Sequence, residues 1–346
     1  MEPKSAEARL AQLHQAFKGY TTFQMLTIGA ELQLFVQLGK AASGLTPKEL
    51  AAQLELHEPY VRVWCETAYG ADFLDYDDAA DRFRLGEALH TPLAQPGDPA
   101  YQGDFFRLFG SYFSQELLDL PELFRSGGLS DSRERRREFT ALLKGRGTAR
   151  GMLFDSAVLP RIDGLPDRMS AGLHLLDVGC GAGTFMLHLA ERYPRCSFHG
   201  VDADGHAVEV AAQGIAEAGL GERVRVEQLA GNELNFDQRF DVATLNLVLH
   251  EIDFPTRNEA MTRVHRALKK PAILSIIDFP YPSRMEEFRD PSFAMGVIDQ
   301  FYEVAWGSRH QNWEEIQAML EPIGFSNFRR EFLRGAPYAL MVAEKR

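Results

Sequence analysis

The chain has 346 residues, 45% apolar and 25% charged, with a net charge of −12. That length is about twice a typical single domain, so two globular domains with cores of their own are expected. The acidic balance argues against a partner gripped through its phosphates, nucleic acid above all. The N-terminal MEPKSAEARLAQL lacks a signal-like apolar stretch, and no apolar run of about 18 residues predicts a membrane span, so a cytoplasmic location is expected.

The first 40 residues read as helical, with apolar positions at helical spacing in TIGAELQLFVQLG (27–39) and a stop at Gly39. GLTPKELAAQL predicts a second helix, with Thr46 as N-cap, Pro47 at the first position and Glu49 closing a capping box. EPYVRVWCETAYGADFL predicts a further helix, and FLDYDDAADRFRLGEAL two short strands around an acidic turn. Helix, helix, hairpin is the order of a winged helix, and residues 1–100 are read as that domain. DNA binding fails on charge. Between Thr46 and Leu93 only Lys48, Arg62, Arg82 and Arg84 are basic, against ten acids that include Asp77 and Asp78 in the turn. Dimerisation through an apolar helical surface fits better.

Residues 101–165 read as a helical linker covering an acceptor pocket, with Phe105, Phe106, Phe109, Tyr112 and Phe113 as either its roof or plain core. The basic run SRERRREF (132–139) interleaves Glu134 and Glu138 at pairing distance, which predicts a solvated helix face. Gly and Pro are dense over 145–172, and the domain boundary is placed there. From 173 the pattern alternates, with strands at HLLDV, SFHGV, RVRVEQL, FDVATLNL and AILSIID and helices near 184–192, 205–218 and 256–268. Residues 166–346 are therefore expected to form an α/β, Rossmann-like domain on a parallel sheet, ended by an antiparallel hairpin at NFRREF and YALMVAEKR. The three cysteines make no disulfide framework, the histidines other than His250 and His310 show no ligand spacing, and no metal is expected.

The first strand of that domain runs into Asp177-Val178-Gly179-Cys180-Gly181-Ala182-Gly183-Thr184. A dinucleotide fingerprint puts its third small residue at Thr184, whereas here the third glycine is Gly183. Asp177 is also a poor neighbour for a pyrophosphate. It suits a cationic ligand, and S-adenosylmethionine carries an ammonium and a sulfonium without phosphate. Asp202, ending SFHGVD, is placed to accept from two ribose hydroxyls, a role equally served in nicotinamide sites.

Together DVGCGAG, GVDAD and FDVATLNLVLHEI resemble the class I S-adenosylmethionine-dependent methyltransferases over about 173–346. The resemblance implies a seven-stranded sheet with S-adenosylmethionine as cofactor and S-adenosylhomocysteine as product. Its cofactor residues would be Asp177, Gly179, Gly181, Gly183, Asp202, Ala203, Asn232, Glu233 and Asn246, with Asn232 where the family has an aspartate near adenine. The winged-helix start and LNLVLHEIDFP are similar to the small-molecule O-methyltransferases that dimerise through an N-terminal domain. That likeness implies a homodimer, His250 as base, Asp278 as its support and His310 where a second supporting acid lies. Ile252 and His310 depart from the family's tryptophan and glutamate. Tyr302, Trp306 and Trp313 are the expected pocket wall. The reading is methyl transfer to a heteroatom of a small molecule, oxygen first and a thiol or thioether sulfur second. A cofactor-sensing transcriptional regulator and a nicotinamide oxidoreductase are the rivals.

Overall fold

A computed structural model of the chain describes residues 5–98, 100–130 and 136–346. The chain divides into two units, Met1–Gln115 and Glu116–Arg346. The first holds α1 (Ala6–Glu31), α2 (Leu34–Gly39), α3 (Pro47–Gln53) and α4 (Glu58–Gly70). A hairpin of β1 (Leu74–Asp77) and β2 (Arg82–Leu85) follows, then α5 (His90–Ala94) and α6 (Gly103–Arg107). The helical pattern over 27–39 is interrupted at Gln33, whose φ of 56° starts a new helix. Thr46 caps α3 as its sequence requires: Thr46 Oγ1 accepts from the Glu49 N–H at 3.1 Å, and the Glu49 carboxylate accepts from the Thr46 N–H at 2.9 Å.

This unit closes on Met25, Phe35, Leu50, Trp64, Cys65 and Phe83, with the Trp64 indole donating to the Met25 carbonyl at 2.9 Å. Phe109, Tyr112 and Phe113 are buried too, and Phe109 stacks between Phe105 at 4.8 Å and Phe113 at 5.2 Å. Arg62 on α4 is held by Glu58 and Asp81 at 3.1 and 3.0 Å, and Arg82 of the hairpin by Glu49 at 2.8 Å, so acids occupy both cations.

α7 (Phe113–Ser126) carries the division between units, and α8 (Arg136–Leu153) and α9 (Leu165–Ala171) lead to the sheet. In the basic run, residues 132–135, Glu134 among them, lie outside the described residues. The glycine-rich start of 145–172 is helix rather than linker, and its glycines serve packing. A Cβ on Gly147 would meet Thr184 Oγ1 at 2.0 Å, and one on Gly151 the His188 ring at 2.8 Å. Small residues there let α8 lie close on the helix after the glycine loop.

The rest alternates: β3 (His174–Val178), α10 (Thr184–Arg192), β4 (Ser197–Asp202), α11 (Gly205–Glu217), β5 (Val224–Gln228), β6 (Phe240–Asn246), α12 (Phe254–Ala267) and β7 (Leu268–Asp278). Then come α13 (Ala294–Glu303), α14 (Trp313–Leu320), β8 (Phe325–Phe332) and β9 (Ala339–Lys345). The sheet order is β5-β4-β3-β6-β7-β9-β8, parallel through β7, with β9 antiparallel to both neighbours. Successive strand residues face opposite cores. Leu175 packs with Phe185, Leu189 and Phe198 on one face, Leu176 with Met261, Val264 and Leu274 on the other. Order reverses between β3 and β6, which leaves a crevice at their carboxyl ends, where ligands of such sheets bind. Among the described residues no helix is long and apolar enough to cross a membrane.

Candidate active site

The three glycines after β3 differ in purpose. Gly179 has φ 72°, and a Cβ there would meet Val248 at 2.4 Å; Gly183 has φ 72° and caps α10. Gly181 has φ 51°, but open space lies where its Cβ would point. The outer two shape the turn, and Gly181 leaves room for a ligand against the backbone. The loop is pinned to β4, with Gly179 and Cys180 N–H donating to the Val201 carbonyl at 2.8 and 3.0 Å.

Asp202 also holds this loop. Its Oδ2 accepts from the Gly181 N–H at 2.8 Å and its Oδ1 from the Asp204 N–H at 2.9 Å. A carboxylate offers about four acceptor positions, more than these two backbone bonds use. Asn232 and Glu233 lie in the turn after β5, and the Glu233 carboxylate caps the Ala230 N–H at 3.1 Å. Ala203 is exposed beside Asp202, and its carbonyl accepts from Gln228 at 3.3 Å.

Asp177 is buried, its Oδ1 accepting from Thr244 Oγ1 at 2.8 Å and Asn246 Nδ2 at 3.2 Å. Asn246 thus stands behind Asp177, with its own Oδ1 lacking a hydrogen bond. Burial pushes the Asp177 carboxyl up to about 7, although these hydrogen bonds and the Arg150 charge pull it down. The sign for binding follows. Below about pH 7 the free protein holds a proton on Asp177, which a cationic ammonium must displace. S-adenosylhomocysteine affinity is expected to rise up to about tenfold per pH unit toward 7 and then level off. Calorimetric titration reads this, and Asp177→Asn should flatten the profile.

At the end of β6 the backbone turns through Leu247, whose φ of 59° is costly for a branched side chain, and delivers His250. His250 is 3% exposed and its Nδ1–H donates to Asp278 Oδ1 at 2.7 Å. Its ring stacks on His310 at 4.2 Å between centroids. The structure therefore brings together His250, Asp278 and His310, each read from sequence. It adds two acids that the sequence reading missed. Asp299 Oδ2 accepts from His310 Nε2–H at 2.9 Å, and Glu303 Oε2 lies 3.3 Å from His250 Nε2. The only signal for them was a pair of acids one turn apart in an apolar helix. α13 buries both while exposing Ile298 and Phe301.

His250 does not keep the ordinary pKa of an imidazole. Burial pushes His250 down, but Asp278 and Glu303 outweigh it and hold the ring well above its usual range. Asp278 is lowered in turn, the His250 charge overcoming burial. Glu251, next in chain, keeps exposed surface within protein walls, and burial with the Glu303 charge pushes its carboxyl up to about 8.

Arg257 on α12 ties the histidine segments together. Its guanidinium donates to the carbonyls of His250 at 2.8 Å, Ile252 at 2.9 Å and Arg309 at 2.9 Å, and to Gln311 Oε1 at 2.7 Å. The buried cation gives these carbonyls a donor, and that of His250 also accepts from the Arg309 N–H at 3.2 Å. Of the expected wall residues, half-buried Tyr302 adjoins Glu303 on α13, and Trp306 packs edge-on against Phe139 at 5.6 Å. Trp313 goes elsewhere: it meets Phe332 and carries Arg330 over its ring, so it packs against β8 instead of the cluster.

A seven-stranded sheet with this order, and an acid–glycine loop at its switch point, define a class I methyltransferase domain. Residues 169–320 match the family described as "Methyltransferase domain", whose cofactor is S-adenosylmethionine. Over 114 residues the chain is 28% identical to methyltransferase ungE' of Aspergillus campestris, covering 33% of this chain and 32% of that protein. The chain thus spans about a third of that relative's length. The fold is shared more widely. The mitomycin 7-O-methyltransferase MmcR superposes with a TM-score of 0.79 at 18% identity, over 99% of this chain and 100% of that one. Human N-acetylserotonin methyltransferase, solved with S-adenosylmethionine, gives 0.77 at 18% identity, over 100% and 99%.

Proposed function

We propose that the chain transfers the methyl group of S-adenosylmethionine directly to a heteroatom of a small molecule, oxygen first. The observation that carries this is the His250–Asp278 pair, held at 2.7 Å on the turn that leaves β6 beside the cofactor loop. The acceptor lone pair attacks the methyl carbon, the carbon–sulfur bond breaks, and the sulfonium becomes a neutral thioether. Holding the three atoms in line supplies up to ~7–11 kcal/mol. His250, oriented by Asp278, steadies the oxygen as it loses its proton, and the carboxylates facing the ring take that proton up. The raised pKa of His250 favours a second reading. A thiol or thioether sulfur needs little or no help from a neutral imidazole.

N-acetylserotonin and mitomycin, in the names of the two similar structures, are small molecules, which supports an acceptor of that size. The N-terminal unit supports a homodimer. Leu10, Leu13, Phe17 and Tyr20 form an exposed apolar stripe along α1, suited to a second copy of the chain. The acids around its hairpin support neither nucleic acid as partner nor a regulator's role.

Incubation with trideuteromethyl S-adenosylmethionine and a panel of phenols, hydroxy acids, thiols and thioethers tests the function. Mass spectrometry should find the label on a small molecule. Label found only on protein or nucleic acid would overturn the proposal.

A further inference from the structure

The carboxylate–histidine cluster contains more donors than a proton relay requires. His250, Asp299, Glu303 and His310 each bring one ligand atom to a common point, all within 4.8 Å of one another, and all four residues are buried. Among the described residues this is the one such grouping. Donors on a metal at about 2.0–2.2 Å stand roughly 3.3–3.6 Å apart in a tetrahedron. Here His250 Nε2 lies 3.3 Å from Glu303 Oε2 and 3.8 Å from Asp299 Oδ2, and His310 Nε2 lies 2.9 Å from Asp299 Oδ2.

Three further observations agree. Glu303 Oε2 is buried and accepts no well-formed hydrogen bond, so a lone pair is left aimed into the cluster. Asp278 takes the Nδ1–H of His250 at 2.7 Å and stands 3.9 Å from His310 Nδ1, as a carboxylate does when it orients metal-bound histidines from behind. And α13 turns its two acids inward while Ile298 and Phe301 face out, an inversion of the usual pattern that a bound cation offsets.

We infer that His250, Asp299, Glu303 and His310 form a mononuclear site for a divalent transition metal at the acceptor end of the cleft. The location rests on the proposed function; the site itself does not. Two imidazoles with two carboxylates suit zinc, iron(II), cobalt(II) or manganese(II), whereas calcium and magnesium prefer oxygen donors alone. Such an ion would hold an acceptor through its nucleophilic oxygen or sulfur, doing by charge what a free imidazole does as a base.

The test uses the full chain, stripped with chelator and reloaded without oxygen with Zn²⁺, Fe²⁺, Co²⁺ or Mn²⁺ in turn. After gel filtration, elemental analysis should find about one metal per chain for at least one of them. The cobalt form should show visible d–d absorption. Asp299→Asn and Glu303→Gln keep size and shape and should weaken binding at least about 10–100-fold. S-adenosylhomocysteine binding, measured on the same samples, shows that the variants are folded. Wild-type protein that binds S-adenosylhomocysteine but holds no more of any metal than the variants would overturn the inference. Metal held without S-adenosylhomocysteine binding would strike the cofactor reading and leave the metal site standing.

Discussion

Replacing His250 by alanine is expected to lower turnover about 10²–10⁴-fold while changing S-adenosylhomocysteine affinity by no more than about twofold. Among the described residues the ring's hydrogen-bond and ion-pair partners lie outside the glycine loop. Its partners are Asp278, Glu303, Asp299 and the stacked His310, which the proposed function sets on the acceptor side. Its loss leaves Asp278 without its nearest cation and the acceptor without the group that orients it. Partial rescue at high pH is expected for an acceptor acidic enough to ionise alone. Turnover that survives the substitution would mean that positioning by other residues drives the transfer.

Asp202→Ala is expected to do the opposite, loosening the cofactor about 10²-fold. Two hydrogen bonds to a charged carboxylate contribute about 1.5–3 kcal/mol each, and about 3 kcal/mol is somewhat over a hundredfold in affinity. The same oxygens hold the Gly181 and Asp204 N–H groups, so the glycine loop would also lose its anchor. Asp202→Asn keeps one acceptor oxygen and should cost less. Calorimetry with S-adenosylhomocysteine separates the two variants, and unchanged affinity in both would remove Asp202 from the cofactor site.

The catalytic half of the fold was legible because each buried parallel strand is a short apolar run between helical patterns. β3 and α10 begin and end where sequence places them, at His174–Val178 and Thr184–Arg192. Packing across the chain was less legible. The glycines of α8 look like a linker until Thr184 and His188 occupy the space beside them. Three of the cluster residues could be read by place, at the ends of β6 and β7 and before α14. Asp299 and Glu303 could not, because an i,i+4 acid pair looks like a solvated face until α13 turns it inward. Arg257 was hidden for the same reason. A helical arginine reads as surface, and its burial is explained by the carbonyls of His250, Ile252 and Arg309 and by Gln311 Oε1.

The measurement that bears most directly on the central claim is a calorimetric titration with S-adenosylhomocysteine and with NADH, at pH 6 and pH 8. One S-adenosylhomocysteine per chain is expected, bound several-fold more tightly at pH 8 because Asp177 titrates near 7 in the free protein, with no comparable NADH binding. Tight NADH binding with none of S-adenosylhomocysteine would contradict the account.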